Sequence, residues 1–484
     1  MGAGGRSVPA LDRRPKAPLT LGRRLAHPLF VAALVAAPAW SDDARSVGAE
    51  LNVIRWKEDY SFLRDRADPT FLERLKFIPL SADRTTYLTL AGQLRHRVED
   101  YEPAFFGLPG GPSFISYATR LLAAADLHVG ARLRGFVELG SYWEQGRKPA
   151  SRPIDRGDLE VPQAFVDLVG VSRPDSRLTL RLGRQELPLG SGRLVSIRDG
   201  SNVRLSFDAA KLMWDQGGRG SLEASIGRPV DPKPGVFDSA TSHREWFWYA
   251  DWSRPGPGGR GPTAELFYFG RRLKRATYGR GTADEVRHNL GGRIWGRPSP
   301  WDYSVQASYQ RGSFGSADIR AWGLASDTGY LLASAPGQPR FAIRADVASG
   351  DRPGAGTLHS FSAPYPALNY FSEAAIFAPS NAADVHPYVE ARPLRKVAAA
   401  VGVDFLWRLE RSDAIYRAGG GFLVPPGVSA ARLVTAITQI DASWQPVAQV
   451  GLRAAWVWAS AGAVIRAAGG RPTTFLLFSM DLRL

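Results

Sequence analysis

The sequence predicts an all-β protein: a single transmembrane antiparallel β-barrel of about 18 strands (roughly 16 to 18), with short periplasmic turns and long extracellular or pore loops. Three observations support this fold class. Segments that alternate apolar and polar residues recur from Thr85 to the C-terminus, separated by turn-rich gaps. No apolar run reaches the roughly 18 to 20 residues of a membrane-spanning helix, and the mean hydropathy is only −0.19. No low-complexity linker divides the 484 residues into domains.

Residues 1–40 have the features of a signal peptide. Arginines and one lysine precede a short apolar stretch, 28–40, and Ala37-Pro38-Ala39 is a small-x-small cleavage site. An N-terminal anchor helix is the alternative, but this stretch is too short to span a membrane. We therefore predict cleavage near Ala39, export in a Gram-negative cell, and an integral location in the bacterial outer membrane.

The next segment differs from both its neighbours. Residues 51–80 are dense in arginine, aspartate and glutamate and also contain Trp56, Tyr60 and Phe62. We interpret residues 41–84 as a periplasmic lead-in or plug that packs on the mouth of the barrel. The barrel itself is predicted to occupy residues 85–484.

The first predicted strand follows Thr85 and shows the period-two pattern clearly. Leu88, Leu90, Leu94 and Val98 fall on one face, and Gln93, Arg95, Arg97 and Glu99 fall on the other. Later strands repeat this pattern. Their polar, lumen-facing residues are predicted to be Arg132, Arg134, Glu138, Arg340, Arg344, Asp346, Asp404, Arg408, Glu410 and Arg453. The last strand alternates back from Leu484, although barrel-insertion signals usually end in an aromatic residue.

The segment 183–212 combines a strand end with a cluster of glycine, serine and arginine. Before it, Leu178, Leu180 and Leu182 alternate with Arg177, Thr179 and Arg181. Such a sequence is too charged for a core and too regularly apolar for a disordered tail. It is typical of a wall with water on one side and lipid on the other.

Two stretches lack alternation. Residues around 141–160 and 349–392 contain Pro, Gly, Asp and Asn. The second stretch is either a loop folded into or over the pore or a surface loop, and the sequence does not decide between them.

Composition narrows the function classes. The net charge is +15, and 53 of the 61 basic residues are arginine, whose guanidinium stays charged and binds carboxylates in a bidentate manner. The export signal, the strand pattern and the absence of nucleic-acid motifs argue against a nucleic-acid partner. The chain has no cysteine, its histidines are scattered singly, and it contains no Gly-x-Ser-x-Gly motif. We therefore predict no metal site, no cofactor and no enzymatic activity.

A family resemblance rests on seven segments that occur in the same order from about Leu51 to the C-terminus. They are RWKEDYSFLRD, LRHRVEDY, AADLHVGARLRGFVEL, QAFVDL, GRQELPLGSGRLVSIRDGSNVRLSFDAAKL, ADVASGD and NYFSEAAIF. In these segments the chain resembles the alginate export family of outer-membrane porins, most specifically over 164–212. The resemblance implies an 18-stranded barrel whose arginine-lined pore passes an anionic polyuronate outward. It also implies that Arg184, Glu186, Arg193, Arg198, Arg204 and Asp208 lie at or near the constriction.

The residues themselves suggest a mechanism. A polyuronate carries a carboxylate on most sugar units, and many weak, exchangeable arginine contacts would attract the polymer without trapping it. The predicted pore-lining set is Arg95, Arg97, Arg132, Arg134, Arg181, Arg184, Glu186, Arg193, Arg198, Arg204, Asp208, Arg344, Asp346, Arg408 and Arg453. Alternatively, these residues pair internally and hold a polar barrel interior together.

Two other functions remain open at this point. A porin that imports small organic anions or oligosaccharides would use the same arginine-lined lumen, and a secreted polysaccharide lyase or an outer-membrane enzyme is the less favoured alternative. The predicted partners are an anionic polysaccharide or organic anion, outer-membrane lipid and lipopolysaccharide, and periplasmic secretion proteins.

Overall fold

The computed structural model describes residues 51–108, 111–173, 175–257, 261–352, 354 and 356–484. The predicted signal peptide and its cleavage near Ala39 lie outside the described residues, as do residues 41–50 of the predicted lead-in. The remaining chain forms a closed antiparallel β-barrel of 18 strands, which confirms the predicted fold class.

Each barrel strand pairs with its neighbours in chain order. The strands are β1 (Thr86–Glu102), β2 (Phe114–Val129), β3 (Leu133–Gln145), β4 (Gly157–Arg173), β5 (Ser176–Gln185), β6 (Phe207–Asp215), β7 (Ser221–Asp231), β8 (Glu245–Arg254), β9 (Thr263–Tyr278), β10 (Gly281–Gly296), β11 (Trp301–Phe314), β12 (Ala317–Leu331), β13 (Arg340–Ala348), β14 (Ala382–Leu394), β15 (Val397–Trp407), β16 (Leu433–Val447), β17 (Val450–Ala459) and β18 (Thr473–Arg483).

The barrel closes where its first and last strands meet. Strand β1 pairs with β18 antiparallel, with Val98 opposite Phe478 and Gln93 opposite Arg483. Beyond the last of these pairs, Leu484 and Gly92 exchange two backbone hydrogen bonds of 2.9 and 3.0 Å. The sheet therefore has no free edge at this seam, as a membrane barrel requires.

The two faces of the strands differ in the way that the alternation predicts. In β1, Gln93, Arg95 and Arg97 are buried in the lumen, whereas Leu94 points outward. Outward apolar residues are widely exposed: Leu133 is 41% and Val401 is 49% exposed. A continuous belt of exposed apolar side chains fits contact with lipid.

The connections differ in length at the two ends of the barrel. At the end that holds the C-terminus they are short, such as 130–132, 395–396 and 448–449. The opposite end carries the long loops, among them 349–381 and 408–432. On β6, β8, β11 and β12, exposed aromatic residues lie on the outside of the short-turn end; they are Trp214, Trp252, Trp301 and Tyr330.

Two of the predicted irregular stretches are shorter than expected. Strand β3 continues to Gln145 and β4 begins at Gly157, because Tyr142 and Trp143 still pair with β2. The residues 382–392 belong to β14, where prolines at 387 and 393 obscure the alternation, so only 349–381 forms the loop.

Shorter elements supplement the 18 barrel strands. Helix α1 (Phe71–Lys76) begins with a capping box between Thr70 and Glu73, and α2 (Ala463–Ala467) lies in the loop before β18. The 3-10 turns are Arg55–Lys57, Ser61–Leu63, Ala104–Gly107 and Gly217–Arg219, and the short strands are Ile78–Pro79, Ala240–Thr241, Thr357–Leu358, Ile415–Tyr416 and Phe422–Val424. Among the described residues, no helix combines the length and apolarity that crossing a membrane requires.

Candidate functional site

Two long loops enter the lumen and pair with each other. Loop A (residues 186–206) connects β5 to β6, and loop B (residues 349–381) connects β13 to β14. The backbone N–H of Ser196 donates to the Tyr365 carbonyl (2.8 Å), and the N–H of Tyr365 donates to the Leu194 carbonyl (3.0 Å). The two loops therefore form one hydrogen-bonded unit inside the barrel.

Arginines of β1 hold one side of loop A. The two terminal nitrogens of Arg95 donate to the carbonyl oxygens of Asp199 (2.6 Å) and Ser201 (2.7 Å). Arg97 Nη1 donates to the carbonyl oxygen of Gly200 at 2.7 Å. These side-chain bonds satisfy loop carbonyls that are not paired within a strand or helix.

Arg120 of β2 makes the same kind of contact and was not among the predicted site residues. It is fully buried, and its Nη1 donates to Asp199 Oδ1 at 2.7 Å while its Nε donates to the Asn202 carbonyl at 2.8 Å. The Asn202 amide donates in turn to the Thr119 carbonyl at 3.0 Å. Alternation along β2 would have identified Arg120, because it has the same parity as the inward-facing Asp126.

A charged cluster lies beneath the tip of loop A. Arg204 Nε donates to Asp199 Oδ1 at 2.7 Å, and Arg204 Nη1 lies 3.5 Å from Glu186 Oε1. Burial alone would raise the pKa of Asp199, but Arg204, Arg120 and Arg95 hold it well below its usual value. Burial raises the pKa of Glu186 to about 7, against the opposing effect of Arg204.

The other side of loop A is apolar. Its side chains pack on inward aromatic residues of β8 and β9, which lie across the barrel from β1. This cluster includes Leu187, Leu189, Leu194, Val195, Phe247, Tyr249, Phe267 and Phe269. Gly190 turns the loop here with φ of 55°, and a Cβ at this position would lie 2.6 Å from a carboxylate oxygen of Glu265. Loop A thus spans the lumen from an arginine wall to an aromatic wall.

Loop B is held to a different part of the wall, on β13, β16 and β17. The Tyr370 hydroxyl donates to Asp346 Oδ2 at 2.7 Å, and the backbone N–H of Glu373 donates to Gln439 Oε1 at 3.0 Å. The side chain of Glu373 lies 3.0 Å from Arg453 Nη2. Of the two readings of 349–381, the structure therefore selects a loop inside the barrel.

Two cavities remain between these loops and the wall. Cavity I, about 660 Å³, lies between loop B and β12–β17. Cavity II, about 510 Å³, lies beside the tip of loop A and is bounded by β1 and β16–β18. They share Asn369, Glu373, Ser443 and Arg453, so they adjoin. The arginines lining them are Arg95, Arg97, Arg198, Arg340, Arg344, Arg392, Arg453 and Arg483, and the carboxylates are Asp199, Glu373, Glu390, Asp441 and Asp481.

Arg344 and Arg453 remain partly accessible in these cavities. The side chain of Arg453 is 40% exposed although Asp441 Oδ2 lies 2.8 Å away. The side chain of Arg344 is 33% exposed, and its Nε lies 3.5 Å from Asp327 Oδ2. Burial lowers the pKa of Arg198 to about 10, which leaves this guanidinium charged at neutral pH. These cations can contact a solute without losing all of their protein partners.

The segment before the barrel contacts the lumen near the short-turn end. The guanidinium of Arg181 lies 3.9 Å from the ring centre of Trp56 and 3.7 Å from that of Phe165. Arg134 Nη2 donates to the Trp56 carbonyl at 2.7 Å, and Arg55 Nη2 donates to the Gly92 carbonyl at 2.5 Å. A third cavity of about 710 Å³ lies between this segment and β1–β8.

Several predicted pore-lining residues occupy other places. Arg184 and Asp208 form an ion pair (2.8 Å) on the outward face of β5 and β6, which corrects the predicted position at the constriction. Arg181 faces inward, so a residue three positions later faces outward. Arg132 lies in the exposed turn 130–132 instead of on a strand. Arg408 is buried at the base of loop 408–432, where its Nε donates to the Ala431 carbonyl at 2.8 Å.

The remaining predicted residues face inward or lie within the loops. Arg134 and Arg181 pair with Asp126 and Asp167. Arg193, in loop A, lies 3.4 Å from the Ser326 carbonyl. Glu186 and Arg204 belong to the cluster beneath loop A. Most inward arginines of this set are therefore paired, as the structural alternative anticipated.

A closed 18-stranded barrel with an apolar belt and inward loops is the fold of outer-membrane porins. The model of the alginate export family matches residues 86–478, and the chain belongs to this family. No curated protein matches the sequence significantly.

Solved structures with the same fold are outer-membrane porins of low sequence identity. A BenF-like porin from Pseudomonas fluorescens Pf-5 has a TM-score of 0.56 at 9% identity, covering 82% of this chain and 99% of its own. Acinetobacter baumannii OccAB1 has a TM-score of 0.55 at 13% identity, covering 85% and 99%. Pseudomonas aeruginosa OccK2, in complex with glucuronate, has a TM-score of 0.52 at 10% identity, covering 82% and 96%. At these identities the likeness establishes the fold alone.

Proposed function

We propose that this outer-membrane channel is anion selective and passes an anionic polysaccharide of the polyuronate class. The observation that carries the proposal is the pair of adjoining cavities, in which eight arginines face five carboxylates. Low-dielectric walls strengthen the electric field of this surplus of positive charge. A polymer with one carboxylate per sugar exchanges between many such sites without a single tight one.

The proposal assigns an orientation and a role to each end. The short-turn end faces the periplasm and the long loops face outward, as in bacterial barrels generally. Residues 51–84 form the described part of the periplasmic lead-in. The stacking of Arg181 on Trp56 supports a plug that narrows the short-turn mouth on the side of β3–β8, which leaves cavities I and II as the path for the solute.

Conductance in planar bilayers tests this function. A salt gradient should give a reversal potential of the anion-selective sign, and polyuronate at low salt should block the current. A neutral polysaccharide of equal length serves as the control and should have little effect. A cation-selective channel, or equal block by both polymers, would overturn the proposal.

Uptake of small organic anions or oligosaccharides is the second candidate. The closely packed contact between loops A and B favours it, because that contact restricts the width of the lumen, and the similar porin OccK2 was solved with glucuronate. Block by glucuronate without block by the polymer would select this candidate. For an enzyme, incubation with polyuronate should yield shortened or unsaturated products, and we expect none.

A further inference from the structure

The outward face of β7–β12 ends in basic residues near the long loops. They are Arg228, Arg244, Arg272, Lys274, Arg311 and Arg320. None of the six has an ion pair with a carboxylate among the described residues, whereas most lumen arginines do. Arg228 lies opposite Asp208 in the pairing register, but that carboxylate is already paired with Arg184, so the six cations can bind an anion from elsewhere.

The pairing register places these cations side by side. Trp246 of β8 lies directly opposite Arg272 of β9, and the guanidinium of Arg228 lies 5.2 Å from the centre of the same Trp246 ring. The backbones of Arg244 and Lys274 are joined by a 2.9 Å hydrogen bond. Four cations therefore lie on neighbouring strands beside one exposed tryptophan.

Arg311 and Arg320 form a second group of cations on the same outward face. They are directly opposite each other on β11 and β12, and both are exposed. Like charges at such a position destabilise a sheet. The nearest acid along β12, Asp318, pairs by register with Ser313 and not with either arginine. An anion between the two guanidinium groups would remove this repulsion.

The position of these residues along the barrel axis shows which part of the membrane they face. Two residues closer to the short turns, the outward side chains are apolar and exposed: Ile226 (54%), Tyr309 (43%) and Trp322 (44%). The cations thus lie at the boundary of the lipid-facing belt. At the same end, the outward faces of β14–β18 themselves carry no lysine or arginine, although the exposed Arg432 and Arg471 lie in the loops just before β16 and β18.

We propose that this surface binds the phosphate groups of a glycolipid in the outer leaflet of the membrane. Guanidinium groups match phosphate oxygens in a bidentate manner, the tryptophans suit the headgroup level, and the adjoining apolar residues contact the acyl chains. This binding is separate from conduction, because none of the six residues lines cavity I or cavity II.

Binding of purified lipid A to the full-length protein in detergent micelles tests the proposal. Bis-phosphorylated lipid A should bind, and the same lipid after removal of both phosphates should bind about tenfold more weakly. The variants R311Q/R320Q and R272Q/K274Q should each show a loss of similar size. The control R254Q/R297Q removes two exposed arginines at the short-turn end and should bind as the unmodified protein does.

Heat-modifiable gel migration confirms that each variant is folded, and each should conduct as the unmodified protein does. Equal affinity of all variants for lipid A, or equal binding of the dephosphorylated lipid, would overturn the proposal. So would a polyuronate oligosaccharide that binds this face in preference to lipid A and loses its binding in R311Q/R320Q, because the surface would then serve the emerging polymer.

Discussion

The two sides of the lumen use their arginines differently. On β1 and β2, Arg95 and Arg120 are almost completely buried because loop A lies directly against them. On β13 and β17, Arg344 and Arg453 keep a third or more of their side chains exposed, because loop B leaves cavities beside them. Inward orientation alone therefore does not make an arginine available to a solute. Whether a solute can reach an inward arginine depends on the path of the loop in front of its strand.

The largest effect on stability is expected from the buried arginines of β1 and β2. In Arg120→Met, Asp199 loses one of its cations, the Asn202 carbonyl loses its donor, and the carbonyls of Asp199 and Ser201 keep only Arg95. Removing one partner of a buried charged network costs about 3–5 kcal/mol of unfolding free energy. Urea unfolding in micelles measures it. A cost below about 1 kcal/mol would contradict the anchoring role of Arg120.

Glu186 provides a pH-dependent test of the same network. Its pKa of about 7 in the folded protein lies above the ordinary value of 4.5. As the pH rises from 4.5, the unfolded chain loses this proton first, so the contribution to stability is complete below pH 4.5 and is lost as the pH rises through 7. The loss is about 3 kcal/mol.

In Glu186→Gln the unfolding free energy should fall less between pH 4 and 8 than in the unmodified protein. The exposed glutamate variant Glu102→Gln serves as the control and should follow the unmodified curve. Parallel curves for all three proteins would show that Glu186 is not held in a state that resists ionisation.

Replacing the partly exposed arginines should change ion selectivity and leave stability nearly unchanged. Arg344→Gln/Arg453→Gln removes two charges from cavities I and II, and the anion-to-cation permeability ratio should fall several-fold. Each lost pair is partly exposed and contributes roughly 0–1 kcal/mol to stability, so unfolding should change little. Reversal potentials in a salt gradient give the ratio. An unchanged ratio, with R297Q as the control, would show that the cavities are not the conducting path.

The smallest effect is expected outside the lumen. Arg184→Ala breaks a partly exposed ion pair with Asp208, so we expect roughly 0–1 kcal/mol of destabilisation and no change in selectivity. The measurements are the same bilayer and unfolding experiments. A change in selectivity would show that Arg184 reaches the pore, contrary to its outward position.

The sequence was sufficient for the strands and insufficient for the loops. Period-two alternation correctly separated Leu94 from Arg95, because each strand has water or protein on one face and lipid on the other. The same period, continued from Arg181, would have placed Arg184 outward. The family resemblance instead implied that Arg184 lies at the constriction. The two-residue period gave the position that the structure shows.

The partners of Arg95 and Arg120 could not be predicted. They are carbonyl groups of loop A, and their positions depend on how residues 186–206 cross the lumen. That path is fixed by contacts between residues far apart in the chain, such as the backbone bonds of Tyr365 with Leu194 and Ser196. No local pattern encodes these contacts.

The seam between β1 and β18 has a consequence for how the molecule forms. A side-chain hydrogen bond across it joins Gln93 to Asp481, which are 388 residues apart. Contacts of such high sequence separation are slow to form, since a long stretch of chain must be ordered first. Closure must therefore await synthesis of the last strand, and until then both β1 and the growing sheet present unpaired edges on which other chains can aggregate.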